Sequence, residues 1–400
     1  MWAIIRSILF GIATFFMNPL FYLLVVGLFL FSAQRVRRER RSFRVKAYGM
    51  FNTVFRSIAP SLVVGVGGSI LLLAAGVAVP PGMIVLFSLG YLVIMLTTQL
   101  RFLSPAVAGG LTLIAAYLLP PVRTPLPLVN QWITEVRQAD LFAFAVFLAV
   151  AMLAETMLVL LWGAKQTSPR LIQSGRGGMV GAHEASELWI VPFLFLVPLA
   201  GPVGHIGLWP FVSGSSQNFG FALFPLGVGI AQLITSSLPA PAVKRTGYWL
   251  LFTTGGFLVI AGTGAYLHLP VVIVAGGVLA LISRLLLLFY HHELRSNRPF
   301  YFVMPEQGLR VIGVIPHSLG DRIGVRPGEE IQQVNDRNVN SERNFYDALQ
   351  AQSAYIKIKV IDRFGEPRFV KGPVHQDDGH KIGLLFLESS EINSGLKSLS

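Results

Sequence analysis

A chain of 400 residues with 53% apolar and only 13% charged side chains, and a mean hydropathy of +0.61, departs from soluble globular composition, where about 25% of residues are charged. The absence of cysteine excludes disulfides, thiolate zinc sites, iron–sulfur clusters and a cysteine nucleophile. Residues 1–300 hold 20 Lys and Arg against 7 Asp and Glu, whereas residues 301–400 hold 12 against 13, so a membrane part with basic flanks precedes a water-exposed domain. The net charge of +12 therefore needs no nucleic acid to explain it.

A membrane-crossing helix needs about 20 mostly apolar residues. Nine candidate spans meet this: Ser7–Phe31, Pro60–Val79, Gly82–Leu100, Leu103–Leu119, Asp140–Gly163, Leu188–Trp209, Phe219–Leu238, Tyr248–Leu267 and Pro270–Tyr290. The count falls to eight if the first, divided by Asn18-Pro19, lies along the interface over Met1–Met17. The sixth is interrupted by Pro192, Pro198 and Pro202. Arg35, Arg37, Arg38, Arg40, Arg41, Arg44, Lys46 and Arg56 face a single acid, Glu39, and place the first loop in the cytoplasm. Alternate loops then put Arg101, Lys165, Arg170, Arg176, Lys244, Arg245, Arg295 and Arg298 on that side, leaving Arg6, Arg123 and Arg137 opposite. An odd span number leaves residues 291–400 cytoplasmic in a plasma membrane, with no cleavable signal peptide.

Ionisable residues inside spans are few, and burial of a charge there costs several kcal/mol and marks a functional hypothesis. Glu155 and Arg284 lie at similar depths and are positioned to meet. A protonated Glu or a structural ion pair explains them; a proton or substrate path is the alternative, although no internal repeat accompanies it. Gly65-Val66-Gly67-Gly68 and Gly255-Gly256 read as close helix-packing sites.

Beyond Pro299 the pattern changes to short strands and turns. Leu309–Ile315, Glu330–Val334, Tyr355–Ile361, Pro367–Val370 and Ile382–Leu387 read as strands, Asp321–Val325 as a short helix, and Ser341–Gln350 as a helix capped by Asn340 or Ser341. A loop, Gly372–Lys381, precedes the last strand. The domains are thus 1–300, 301–388 and a tail, 389–400.

The stretch Val311-Ile312-Gly313-Val314-Ile315-Pro316-His317-Ser318, followed by Ile323-Gly324-Val325-Arg326-Pro327-Gly328-Glu329-Glu330-Ile331 and by Phe345, Ala348 and Leu349, resembles a bacterial PDZ domain. Glu329, Asp336 and Leu319-Gly320 depart from the usual pattern without breaking it. The resemblance implies a small α+β, barrel-like fold that binds peptides by β-augmentation. In a circularly permuted arrangement Gly383 approaches the terminal carboxylate, and Leu384, Leu385, Phe345 and Leu349 shape the apolar pocket. The alternative is that Ile382–Leu387 is an ordinary core strand beside a closed groove.

Catalytic signatures are absent from the string. His183-Glu184-Ala185-Ser186-Glu187 lacks the second histidine of a zinc protease helix. His291-His292-Glu293 suits a helix end, and Ser213-Gly214-Ser215-Ser216 reads as a loop outside the membrane. The expectation is a non-enzyme without cofactor or metal.

The whole layout, with Asn18-Pro19-Leu20-Phe21-Tyr22 before the basic loop, Arg101-Phe102-Leu103-Ser104-Pro105 and one terminal PDZ-like domain, resembles the MinJ-type division-site topology proteins of Gram-positive rods. That resemblance implies a scaffold of the Min system, enriched at septum and poles. It would bridge a DivIVA-like protein and a MinD-like ATPase, and so position the inhibitor of FtsZ assembly together with other divisome proteins. Two rivals remain: a PDZ-bearing regulator of membrane proteolysis and a transporter.

Overall fold

Proline opens most of the helices in the first 300 residues. The computed structural model describes residues 2–43, 50–165, 167–175, 177–204, 209–213, 218–351, 355–374 and 382–387. Its helices are α1 (Trp2–Met17), α2 (Pro19–Phe43), α3 (Met50–Ala75), α4 (Pro81–Leu96), α5 (Pro105–Leu118), α6 (Pro127–Gln138), α7 (Leu141–Trp162), α8 (Pro239–Tyr266) and α9 (Pro270–Asn297). Six of these nine start on proline, whose fixed φ suits a first turn and whose missing N–H is not needed there. Arg44, Lys46, Arg176, Gly214–Ser216, the loop portion 375–381 and the tail 389–400 lie outside the described residues.

Among the described residues, five helical stretches are long and apolar enough to cross a membrane: Pro19–Glu39, Val54–Ala75, Leu141–Trp162, Pro239–Tyr266 and Pro270–Asn297. Ile5–Met17, α4 and α5 are shorter apolar helices. The first predicted span is two helices. Asn18 Oδ1 accepts the Leu20 N–H at 3.0 Å, ending one helix and capping the next.

The sixth and seventh predicted spans, Leu188–Trp209 and Phe219–Leu238, are not helices. They form β2 (Met179–Val203) and β3 (Phe219–Ile234), which with β1 (Ser168–Gln173) make an antiparallel sheet of order β1-β2-β3. The apolar residues alternate. Trp189, Val191, Phe193, Phe195 and Val197 are at most 2% exposed, and their partners Val228, Leu226, Phe224 and Ala222 share that face. Phe193, Phe195 and Phe224 pack on Phe147, which in turn contacts Phe87 and Phe144 of α4 and α7.

Strand edges at membrane depth would leave backbone groups unsatisfied at several kcal/mol each. The helices remove that cost. On the outer edge of β2, Leu194 N–H donates to Ser69 Oγ at 2.9 Å and Leu196 N–H to Val77 O at 3.2 Å. On the outer edge of β3, Phe221 N–H donates to Ser7 Oγ, Leu223 N–H to Thr14 Oγ1 and Gly229 N–H to Leu103 O. Pro192, Pro198 and Pro225 occupy the same outward alternation, where no ladder N–H is required.

The strand-rich C-terminal region contains β4 (Leu309–Val314), α10 (Leu319–Arg322), β5 (Glu330–Val334), β6 (Arg337–Asn338), α11 (Glu342–Gln350), β7 (Tyr355–Ile361), β8 (Pro367–Pro373) and β9 (Leu384–Phe386). The sheet order is β8-β7-β5-β4-β9, with β6 on β5. Ser341 caps α11 by accepting the Asn344 N–H at 3.1 Å. Ile356, Ile358 and Val360 alternate into a core shared with Val311, Ile331, Val334 and Phe345.

Candidate functional site

Glu155 on α7 and Arg284 on α9 meet inside the bundle, with Nη1 3.1 Å from Oε1 and both side chains at most 4% exposed. Ser104, which also caps α5, donates to Glu155 Oε2 at 2.8 Å. Arg284 Nη2 donates to the carbonyls of Arg101 and Gly229, each at 3.3 Å. The pair therefore ties two helices to the edge of β3. Gly229 must be glycine there, because a Cβ would stand 2.6 Å from Leu100 O.

A second ionic cluster fixes the end of α2 to the hairpin. Arg35 pairs with Glu39 at 3.2 Å and with Glu187 at 3.0 Å, while Ser168 donates to Glu39 at 2.6 Å. Arg38 and Arg170 both pair with Glu184 at 3.0 Å. The acids of the His183–Glu187 string are thus bound by arginines. Arg35, Arg38, Arg101, Arg170 and Arg295, all expected on one side, border a common cavity at this end of the bundle.

The C-terminal region is seated on the same end. His183 Nε2 donates to Ile312 O at 2.7 Å, which leaves Nδ1 to accept the Thr167 hydroxyl at 3.0 Å. Burial pushes this imidazole down to about 4, against a weaker opposing effect of the Ile312 carbonyl. Its ring lies 5.1 Å from that of Phe302, and Gly181 N–H donates to Phe302 O at 2.9 Å. Tyr301 N–H donates to Thr235 O at 2.8 Å. Sequence reading did not find this joint, although the apolar run Tyr301-Phe302-Val303 just after the basic linker was a usable signal; Phe302 is fully buried there.

The residues expected to form a peptide groove lie around β9, an edge strand. Gly383 has φ +78°, and a Cβ there would run into Ser318. Leu384 faces inward over Gly320, Phe386 packs its ring 4.9 Å from Phe345, and Leu349 borders the same core. Leu385 points the other way, beside Gly313 and Pro169 at the joint, because side chains alternate along a strand. Every residue of Ile382–Leu387 is buried. Elsewhere, Ser213 Oγ accepts the Ala78 N–H at 2.7 Å, and His291 lies near Thr246 between α8 and α9.

These elements define a membrane protein in which apolar helices enclose a β-hairpin and carry a strand-rich module on their basic end. Over 399 residues, 96% of both chains, it is 26% identical to the cell division topological determinant MinJ of Bacillus subtilis (strain 168). It is also 25% identical over 223 residues to probable cell division topological determinants MinJ of Lacticaseibacillus paracasei and Lacticaseibacillus casei (strain BD-II), covering 56% of this chain and 59% of each of those. No family model matches. The near full-length similarity supports a MinJ-type identity, with relatives that are topological determinants of cell division.

Proposed function

We propose that this chain is a non-enzymatic membrane adaptor that helps set the position of the division site. The observation that carries the proposal is similarity over 96% of both chains to a cell division topological determinant, spanning the helical part and the terminal module alike. The bundle anchors and orients, with its basic end in the cytoplasm. The terminal module, read as a permuted PDZ domain, recruits partners together with the basic loops. In this reading a DivIVA-like protein brings the chain to septum and poles, and a MinD-like ATPase is its cargo.

Edge strand β9 after a left-handed Gly383, with α11 beside it, supports the PDZ reading. The burial of all six residues Ile382–Leu387 favours a second arrangement in which β9 is a core strand and recruitment falls to the loops. The ion pair of Glu155 with Arg284, and the Ser104 hydroxyl bonded to its Oε2, favour the adaptor over a transporter. A proteolysis regulator would instead associate with a protease and accumulate uncleaved substrate on deletion.

A fluorescent fusion of the full chain should collect at septa and poles, and deletion should give filaments or misplaced septa. Uniform membrane fluorescence with normal septation would refute the adaptor reading. Titrating the full chain with carboxyl-terminal peptides separates the groove from the loops, since Leu349→Glu abolishes binding only in the first case.

A further inference from the structure

Where the chain leaves α9 for the terminal module, a cavity of about 300 Å³ opens between the end of β3, the start of α8 and the end of α9. Arg245, Arg295 and Arg298 line it, with Thr235, Tyr290 and His291, and no Asp or Glu contributes to its wall. Among the described residues none of the three arginines is paired with a carboxylate. Three guanidinium groups around one cavity repel each other, and a bound anion relieves that repulsion.

Two further polar atoms in this wall lack partners. Thr235 Oγ1, on a residue 2% exposed, and His291 Nδ1 are buried without a hydrogen bond. Such groups are uncommon in native interiors and mark places where a ligand or water completes the bonding. Thr246 Oγ1 donates its proton to Gln232 Oε1 at 2.9 Å, so it accepts His291 Nε2–H at 2.9 Å and leaves Nδ1 of the neutral ring as an acceptor. The Thr235 hydroxyl thus offers a free donor beside the positive charge, and His291 Nδ1 can accept a hydroxyl of the same ligand.

The surroundings identify the source of the anion. One helical face of α8 runs from Arg245 through Tyr248 and Trp249 to Phe252, and these three aromatics are 63%, 39% and 85% exposed. Arg245 Nη1 donates to Tyr290 Oη at 3.2 Å, and the Tyr290 ring stacks on Trp249 with centroids 6.1 Å apart. Tyr248 and Trp249 open the apolar stretch of α8 just after Lys244 and Arg245; exposed Trp and Tyr at such an edge mark the headgroup level of a bilayer, and basic pockets between spans at that level hold lipid headgroups. A soluble phosphate has no use for the apolar face below.

We propose that this cavity binds the phosphate-bearing headgroup of an anionic phospholipid, whose acyl chains lie along the exposed face of α8. Because Thr235 also holds Tyr301 through its carbonyl, the lipid sits against the joint of the two parts.

The test uses the full chain in detergent, titrated with phosphatidylglycerol or phosphatidylcholine and read by native mass spectrometry. Phosphatidylglycerol should be retained preferentially. Arg245→Gln and Arg298→Gln should each weaken retention about five-fold, as loss of one basic residue near a phosphate does. Arg123→Gln with Arg137→Gln, at the other end, should leave it unchanged. If the arginine variants fail to fold, Thr235→Val, nearly isosteric, must still lower retention by severalfold. Equal retention of the two lipids, or loss in the control pair as large as in the cavity variants, overturns the proposal. Complete displacement by an equal concentration of free glycerol phosphate overturns the membrane source.

Discussion

His183 illustrates how much a single side chain decides. Its Nε2–H holds the module through the Ile312 carbonyl, and burial keeps the ring neutral, with its pKa pushed down from 6.5 to about 4. The unfolded or undocked chain binds more protons between those values, so the seat is fully stable above pH 6.5 and weakens as pH falls toward 4. The loss is on the order of 3 kcal/mol. Limited proteolysis of the 298–303 linker across this pH range should show the release, and His183→Gln, which keeps a donor but does not titrate, should flatten it. Glu155→Gln or Arg284→Met should each destabilise the bundle by about 3–5 kcal/mol, because each strands a buried charge or its hydrogen bonds. The double substitution should cost less than the sum, as read by unfolding in detergent. The depth of these two residues was legible in the sequence. Their bonds to Ser104 and Gly229 were not, since those partners come from a capping turn and a strand distant in the chain.

The hairpin belongs to the scale of elements. Leu188–Trp209 and Phe219–Leu238 satisfy the length and hydropathy of a helical span, and a window average does not distinguish period 2 from period 3.6. Three prolines within Leu188–Trp209 and the alternation Trp189, Val191, Phe193, Phe195 were the signals for a strand. At about 3.3 Å per residue, the paired stretch Leu188–Pro198 is long enough to cross a hydrocarbon core of about 30 Å. Infrared spectra of the reconstituted protein should therefore retain an antiparallel β signal after residues 301–400 are removed; a purely helical spectrum would contradict the fold. Gly229→Ala should destabilise by about 1–3 kcal/mol, measured the same way as the ion-pair variants, because the Leu100 carbonyl must shift.

For the whole molecule, the module and the bundle are joined by more than a linker. Pro169, Gly181, His183 and Thr235 touch Gly313, Phe302, Ile312 and Tyr301. Under the adaptor reading, a chain lacking 301–400 should still insert in the membrane but lose part of its recruitment. In cells this appears as diffuse cargo despite a septal fusion signal. Retention of all recruitment by the truncated chain would assign partner binding to the basic loops.

Composition alone dictated a membrane protein with a separate polar end, because apolar runs of span length and a sharp change in charge density are local properties. The short strands and capped helix after Pro299 were legible for the same reason: period, turn residues and caps act within a few positions. Which apolar runs became strands, which arginine met which acid, and where the module docked were decided by partners far apart in the chain. A strand buried among helices depends on hydrogen bonds from Ser7, Thr14, Ser69 and the Leu103 carbonyl, and only the folded bundle brings those groups to its edges.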